Sequence, residues 1–203
     1  MKKKNFLVAI AAVCVCFLSA CNASRPMSVP VASSGGGNPF GKTFTLPCEI
    51  LDTPTEFAAT GIYRGSSYQK GECLKNALEN AKQQVYAKYH HSYEGMISDY
   101  SSTVGNNRGN DIATKIERAG DQVVKAILND IMTVCQEFGE VQADGMIECY
   151  VGIKVPKAEI AKKVAERVND VLTDEEKEEI GFQEYNYRKQ MEERMKNYKA
   201  ENQ

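Results

Sequence analysis

The sequence predicts an α+β fold, helices packed on a small antiparallel sheet in the order β-α-α-β-β-α, with a charged C-terminal helix after it. Three observations predict this. Leu74, Leu78, Ala81, Val85, Tyr89 and Met96 recur at spacings of three, four or seven, so one stripe of a long helix faces a core. In residues 146–155 the odd positions Ile147, Cys149, Val151, Ile153 and Val155 are all apolar, as a strand with one buried face requires. From Pro156 onward 22 of the last 48 residues are charged, so the chain changes character there.

Taken in order, residues 56–64 (EFAATGIYR) read as a strand, and Gly61 inside it implies a bulge or a close approach of another backbone. Ser66 with Gln69 has capping-box spacing and should open the long helix. Residues 99–109 (DYSSTVGNNRG) break the stripe and read as a loop. Asn110 then caps a second helix with Ile112, Ile116, Ala119, Val123 and Ile127 on one face, in which Gly120 costs about 1 kcal/mol. Residues 131–138 and 146–155 form a hairpin across a turn at 139–145. Pro156 opens a helix whose stripe, Ile160, Val164, Val168 and Val171, is expected to dock on the sheet. Thr173 and Glu176 make another capping box, and the acidic residues 174–179 suit the positive end of a helix dipole. The last helix, to about Lys199, is expected to pair Glu184 with Arg188 and Glu192 with Lys196. Its apolar side (Ile180, Tyr187, Met191, Met195, Tyr198) is thin, so it is expected to be a solvated tail or, failing that, a partner-binding arm.

The amino terminus carries a different signal. Lys2, Lys3 and Lys4 precede a 13-residue apolar run, Phe6 to Leu18, too short to span a bilayer but suited to a secretory signal. Leu18-Ser19-Ala20-Cys21 follows and resembles the lipobox of bacterial lipoproteins. That resemblance implies cleavage before Cys21, a diacylglycerol on its thiol and often a further acyl chain on its new amino group; two or three chains hold a protein on a membrane almost permanently where one does not. Asn22, rather than Asp, favours the outer membrane, with the body facing the periplasm and the cell surface as the alternative. The expected organisation is a signal peptide (1–20), a Ser-, Pro- and Gly-rich flexible tether (21–42), the α+β domain (43–172) and the charged helical tail (173–203). Loss of residues 1–20 removes three lysines and leaves 22 basic against 27 acidic side chains, a net charge of −5. Such a balance lacks the basic footprint of a nucleic-acid binder.

Within the body, Ala59-Thr60-Gly61, the helix alanines Ala77, Ala81 and Ala87, Leu128 leading into Val134, and Tyr150-Val151 with Val155-Pro156-Lys157 resemble the Lpp-twenty family of outer-membrane lipoproteins over residues 56 to about 160. That family's domain is similar to the N-terminal domain of a flagellar ring protein. The resemblance implies helices on an antiparallel sheet and brings no catalytic residues.

Seven cysteines divide unequally: Cys14 and Cys16 leave with the signal, Cys21 takes the lipid, and Cys48, Cys73, Cys135 and Cys149 remain. An even number in an oxidising compartment implies two disulfides, with three connectivities open. With the hairpin centred on Gln142, Cys135 and Cys149 lie seven residues to either side and would be directly opposite, leaving Cys48 to pair with Cys73. The competing expectation is four small buried hydrophobes. The two histidines, His90 and His91, are adjacent and lack the i,i+4 spacing of a zinc helix, so no metal and no cofactor is expected. The tyrosines Tyr63, Tyr68, Tyr86, Tyr89, Tyr93 and Tyr100 suit a core rim or an interface. The functional expectation is a non-enzymatic, lipid-anchored envelope module that binds other envelope proteins or itself. A cell-wall hydrolase is the alternative. A cleft of convergent carboxylates would favour the enzyme, and an exposed apolar face or unpaired strand edge the binder.

Overall fold

The computed structural model describes residues 46–104 and 107–201. The signal, Cys21 and the tether lie outside the described residues. The elements are β1 (Glu56–Ser66), α1 (Lys70–Val104), α2 (Asn107–Asn129), β2 (Thr133–Phe138), β3 (Met146–Pro156), α3 (Lys157–Val171), α4 (Asp174–Ile180) and α5 (Glu184–Glu201). The three strands form one antiparallel sheet in the order β1-β3-β2, so the fold is α+β as the sequence predicts.

β3 lies in the centre because its odd residues are apolar without a break: Ile147, Cys149, Val151, Ile153 and Val155 are all buried. They share a face with Phe57 and Ala59 of β1, and α1 crosses that face. Seating the helix depends on Gly61. A Cβ there would lie 1.9 Å from the Ala77 carbonyl oxygen and 2.5 Å from the Ala81 nitrogen, so helix backbone rests directly on strand backbone between two buried alanines. Gly120 makes room on α2 for side chains of α1 instead, since a Cβ would sit 2.3 Å from the Tyr89 hydroxyl and 2.7 Å from the Tyr93 ring.

α1 opens one turn later than the capping-box spacing implies. The Ser66 carbonyl accepts from the Gln69 N–H, its hydroxyl accepts from Tyr68, and the first helical bond runs from the Cys73 N–H to the Gln69 carbonyl. The expected loop at 99–109 is largely helix: α1 continues to Val104 and α2 begins at Asn107, with Asn110 inside it. The apolar stripe ends at Met96 while the backbone ladder does not, since a helix continues wherever its carbonyls still find donors.

The C-terminal segment corrects a larger expectation. Thr173 caps α4 in a full capping box, and Gly181, at φ 63°, ends it. Ile180, Phe182, Tyr187, Met191 and Met195 are all buried, against α1 and α3. The Tyr187 and Tyr93 hydroxyls are 2.6 Å apart. The charged helix is therefore neither a solvated tail nor a free arm but a wall of the domain, because a single large side chain per turn fills the slot between two helices. Its expected ion pairs also differ, with Arg188 reaching Glu192 at 3.6 Å. α3 buries its predicted stripe mainly between α2 and α5, touching only the end of β3 rather than lying on the sheet.

Both disulfides exist, with other partners than expected: Cys48–Cys135 and Cys73–Cys149. The reason is hairpin register. Gln142 and Gly145 close the turn, with the Gln142 N–H donating to the Met146 carbonyl, so the midpoint lies beyond Gln142. Cys149 consequently faces Phe138, and Cys135 faces Gly152. Cys149 points into the core, where α1 brings Cys73 under it; Cys135 points to the opposite face and meets Cys48 there.

Candidate functional site

The two edges of the sheet are treated differently by the chain. On β1 the outward carbonyls of Ala58, Thr60 and Ile62 each accept from a side chain of α1: Lys88 Nζ at 2.6 Å, Gln84 Nε2 at 3.0 Å and Asn80 Nδ2 at 2.7 Å. These donors are four residues apart, so one helix face carries them past successive outward carbonyls. Lys88 also pairs with Asp52 at 2.8 Å, and Asp52 accepts from the Ala58 N–H at 2.7 Å. Residues 48–52 thus strap the sheet's second face, where the Thr60 hydroxyl donates to the Cys48 carbonyl and Ile50 packs near Gly152.

Among the described residues β2 has no such cover on its carbonyls, although Lys70 of α1 lies 5.3 Å over the Phe138 ring. Among these residues the strand pairs with β3 alone, and its burial pattern is exposed at Val134, Gln136, Glu137 and Phe138. Met132, Val134, Phe138 and Val141 are exposed hydrophobics, Met132 to 83%. A bulge separates Thr133 from Cys135. Beside this edge opens a groove of about 680 Å³ between α2, α3 and the end of β3, with Ile127, Ile131, Val134 and Val155 among its walls. Its charged rim is internally paired in part: Glu159 holds Lys163 at 2.8 Å and Glu56 holds Lys154 at 3.5 Å. An exposed apolar strand edge beside an apolar groove can bind an extended segment by main-chain pairing with side-chain pockets alongside.

The other candidates are engaged in structure. His90 is half-buried and lies 3.3 Å from Glu94, whereas His91 is exposed and meets the Tyr198 ring edge-on. The acidic run 174–179 holds the domain together. Glu176 accepts from Lys115 and from the Thr173 N–H, which keep its carboxyl below the usual range, and Glu179 pairs with Arg108 at 2.8 Å. Cys48, Cys135 and Glu137 group within ligand distance, but the two sulfurs are bonded to each other and offer no thiolate. Tyr89 and Tyr93 are core residues rather than rim; burial and Asp121 push the half-buried Tyr86 hydroxyl up to about 12. No helix among the described residues is long and apolar enough to cross a membrane.

Two features of this arrangement are not deduced from the sequence above. The Asn80-Gln84-Lys88 ladder flanks the small-residue stripe that fits Gly61, and that pairing of patterns is its sequence signal. The exposure of β2 follows from its position in the sheet, which the strand pattern alone does not specify.

Fold and site define a disulfide-stapled α+β domain with one covered sheet edge and one that is open among the described residues. No family model, curated protein or solved structure matches the chain.

Proposed function

We propose that this chain is a bacterial lipoprotein, held at the outer membrane by acyl chains on Cys21, whose domain faces the periplasm and serves as a non-enzymatic binding and structural module akin to the Lpp-twenty lipoproteins. The observation that carries the binding role is the difference between the sheet edges: every outward carbonyl of β1 from Ala58 to Ile62 has a helix side chain on it, while β2 presents Val134 and Phe138 to solvent. Natural proteins cover or blunt the edges they do not use, and this chain covers one of its two. Two disulfides fit an oxidising compartment. The hydrolase alternative draws on the five carboxylates that line the groove, but three of them, Glu56, Glu159 and Glu166, lie 3.5, 2.8 and 3.9 Å from lysines, leaving Asp130 and Asp170 as its candidates.

Two measurements test the reading. Radiolabelled palmitate fed to cells should label the full chain and leave Cys21→Ser unlabelled and released from membranes; equal labelling of both would defeat the anchor. A photoreactive residue at Gln136 should cross-link the chain to a protein in intact cells, while one at exposed Gln83 beside the covered edge should not. Equal cross-linking at Gln136 and Gln83, with the Asn80-Gln84-Lys88 ladder intact, would defeat the binding role.

A further inference from the structure

We infer that β2 is the seam of a symmetric dimer, in which two copies of this chain pair their β2 strands antiparallel with Gln136 opposite its own equivalent. This rests on the reading of β2 as a contact edge and names its occupant. The result would be one continuous sheet of six strands, three from each copy.

Backbone direction restricts the register. The Gly139 N–H donates to the Glu148 carbonyl at 2.8 Å, and Glu137 and Cys135 stand opposite Tyr150 and Gly152. With a period of two, these odd residues turn their N–H and C=O groups toward β3, and Gln136 and Phe138 turn theirs outward. Outward groups of one copy must meet outward groups of the other, which leaves registers centred on Cys135, Gln136 or Glu137. Centring on Glu137 sets two carboxylates directly opposite, a repulsive pair. Centring on Cys135 sets the apolar Val134 against the partner's Gln136.

Centring on Gln136 sets Val134 against the partner's Phe138, twice by symmetry, and sets Glu137 against the uncharged, disulfide-bonded Cys135. Val134 and Phe138 are both exposed and lie on the helix-bearing side of the sheet: Val134 borders the groove, and Phe138 stands opposite the buried Cys149. The strand is thus complementary to itself in one register, as an isologous contact requires. The covered β1 edge explains why pairing would stop at two copies rather than run on into a fibre. The seam spans only residues 134–138, and Val134 is the bulge residue without a partner on β3, so its place opposite Phe138 rests on its side chain, which borders the groove; the dimer is accordingly concentration-dependent.

The test is sedimentation equilibrium from micromolar to millimolar concentration on the exported, disulfide-bonded chain carrying Cys21→Ser. This parent should show a monomer–dimer equilibrium. Adding Val134→Lys and Phe138→Lys together should raise the dissociation constant by about tenfold or more, because each introduced lysine then faces another. Val134→Lys with Phe138→Glu should return it to within about threefold of the parent, since the introduced lysine then faces the partner's introduced carboxylate. Thermal melts establish that each variant folds. A parent that stays monomeric throughout, or two double variants equally weakened, overturns the dimer. If the parent is monomeric while Gln136 still cross-links to a different envelope protein in cells, the binding role stands and the self-pairing falls.

Discussion

The flank of the sheet built on β1 and the flank built on β2 each carry one disulfide, yet they resist solvent by different means. On the β1 flank, α1 lies on Gly61, Cys73–Cys149 is buried and three side chains occupy the edge carbonyls. On the β2 flank the bridge Cys48–Cys135 is half-exposed, a bulge interrupts the pairing and apolar side chains face water. The difference teaches that cover, rather than cross-linking, separates a finished edge from one available to a partner.

Five variants break or sharpen that contrast. Gly61→Val should be severely damaging: its side chain would collide with helix backbone at Ala77 and Ala81, which cannot swing aside, and the loss should be about 4 kcal/mol or more in urea unfolding, the same order as loss of a bridge. A cost under 1 kcal/mol would show that α1 is not seated there. The two bridges come next. Their separations of 76 and 87 residues give nearly equal loop entropies, about 4.5 kcal/mol each in the chain-entropy model. Cys73→Ala with Cys149→Ala should nevertheless cost about 1–2 kcal/mol more than Cys48→Ala with Cys135→Ala, because only the first pair leaves a cavity in the core. Equal losses would erase the distinction between the flanks. Gln84→Ala should cost about 1 kcal/mol by leaving the Thr60 carbonyl without its donor. Val134→Thr, measured on the dilute monomer, should change stability by less than about 0.5 kcal/mol; a loss as large as that of Gln84→Ala would mean that β2 is already covered.

Much of this is legible in the sequence alone. The stripe of α1, the alternation of β3 and the Thr173 capping box are local patterns, and each appears as expected. Gly61 announced a close approach, although not to which backbone. What the sequence hid depends on choices among nearly equal alternatives. A displaced turn midpoint sends Cys135 and Cys149 to separate partners, because register follows turn hydrogen bonds that spacing does not reveal. The C-terminal helix looked solvated since only one large side chain per turn is apolar, which suffices once two other helices form a slot. Which strand edge would be left open depends on strand order, and β3 becomes central only when β1 returns to pair with it.

The Cys48–Cys135 bridge also determines how the molecule bears load. The chain between these cysteines is a covalently closed ring that contains β1, α1 and α2. Tension applied at the amino-terminal end, as from an anchor in a membrane, passes through the sulfurs to β2 and bypasses those three elements. β1, α1 and α2 are thereby shielded from such traction, and β2 is the element mechanically in series with the amino-terminal segment.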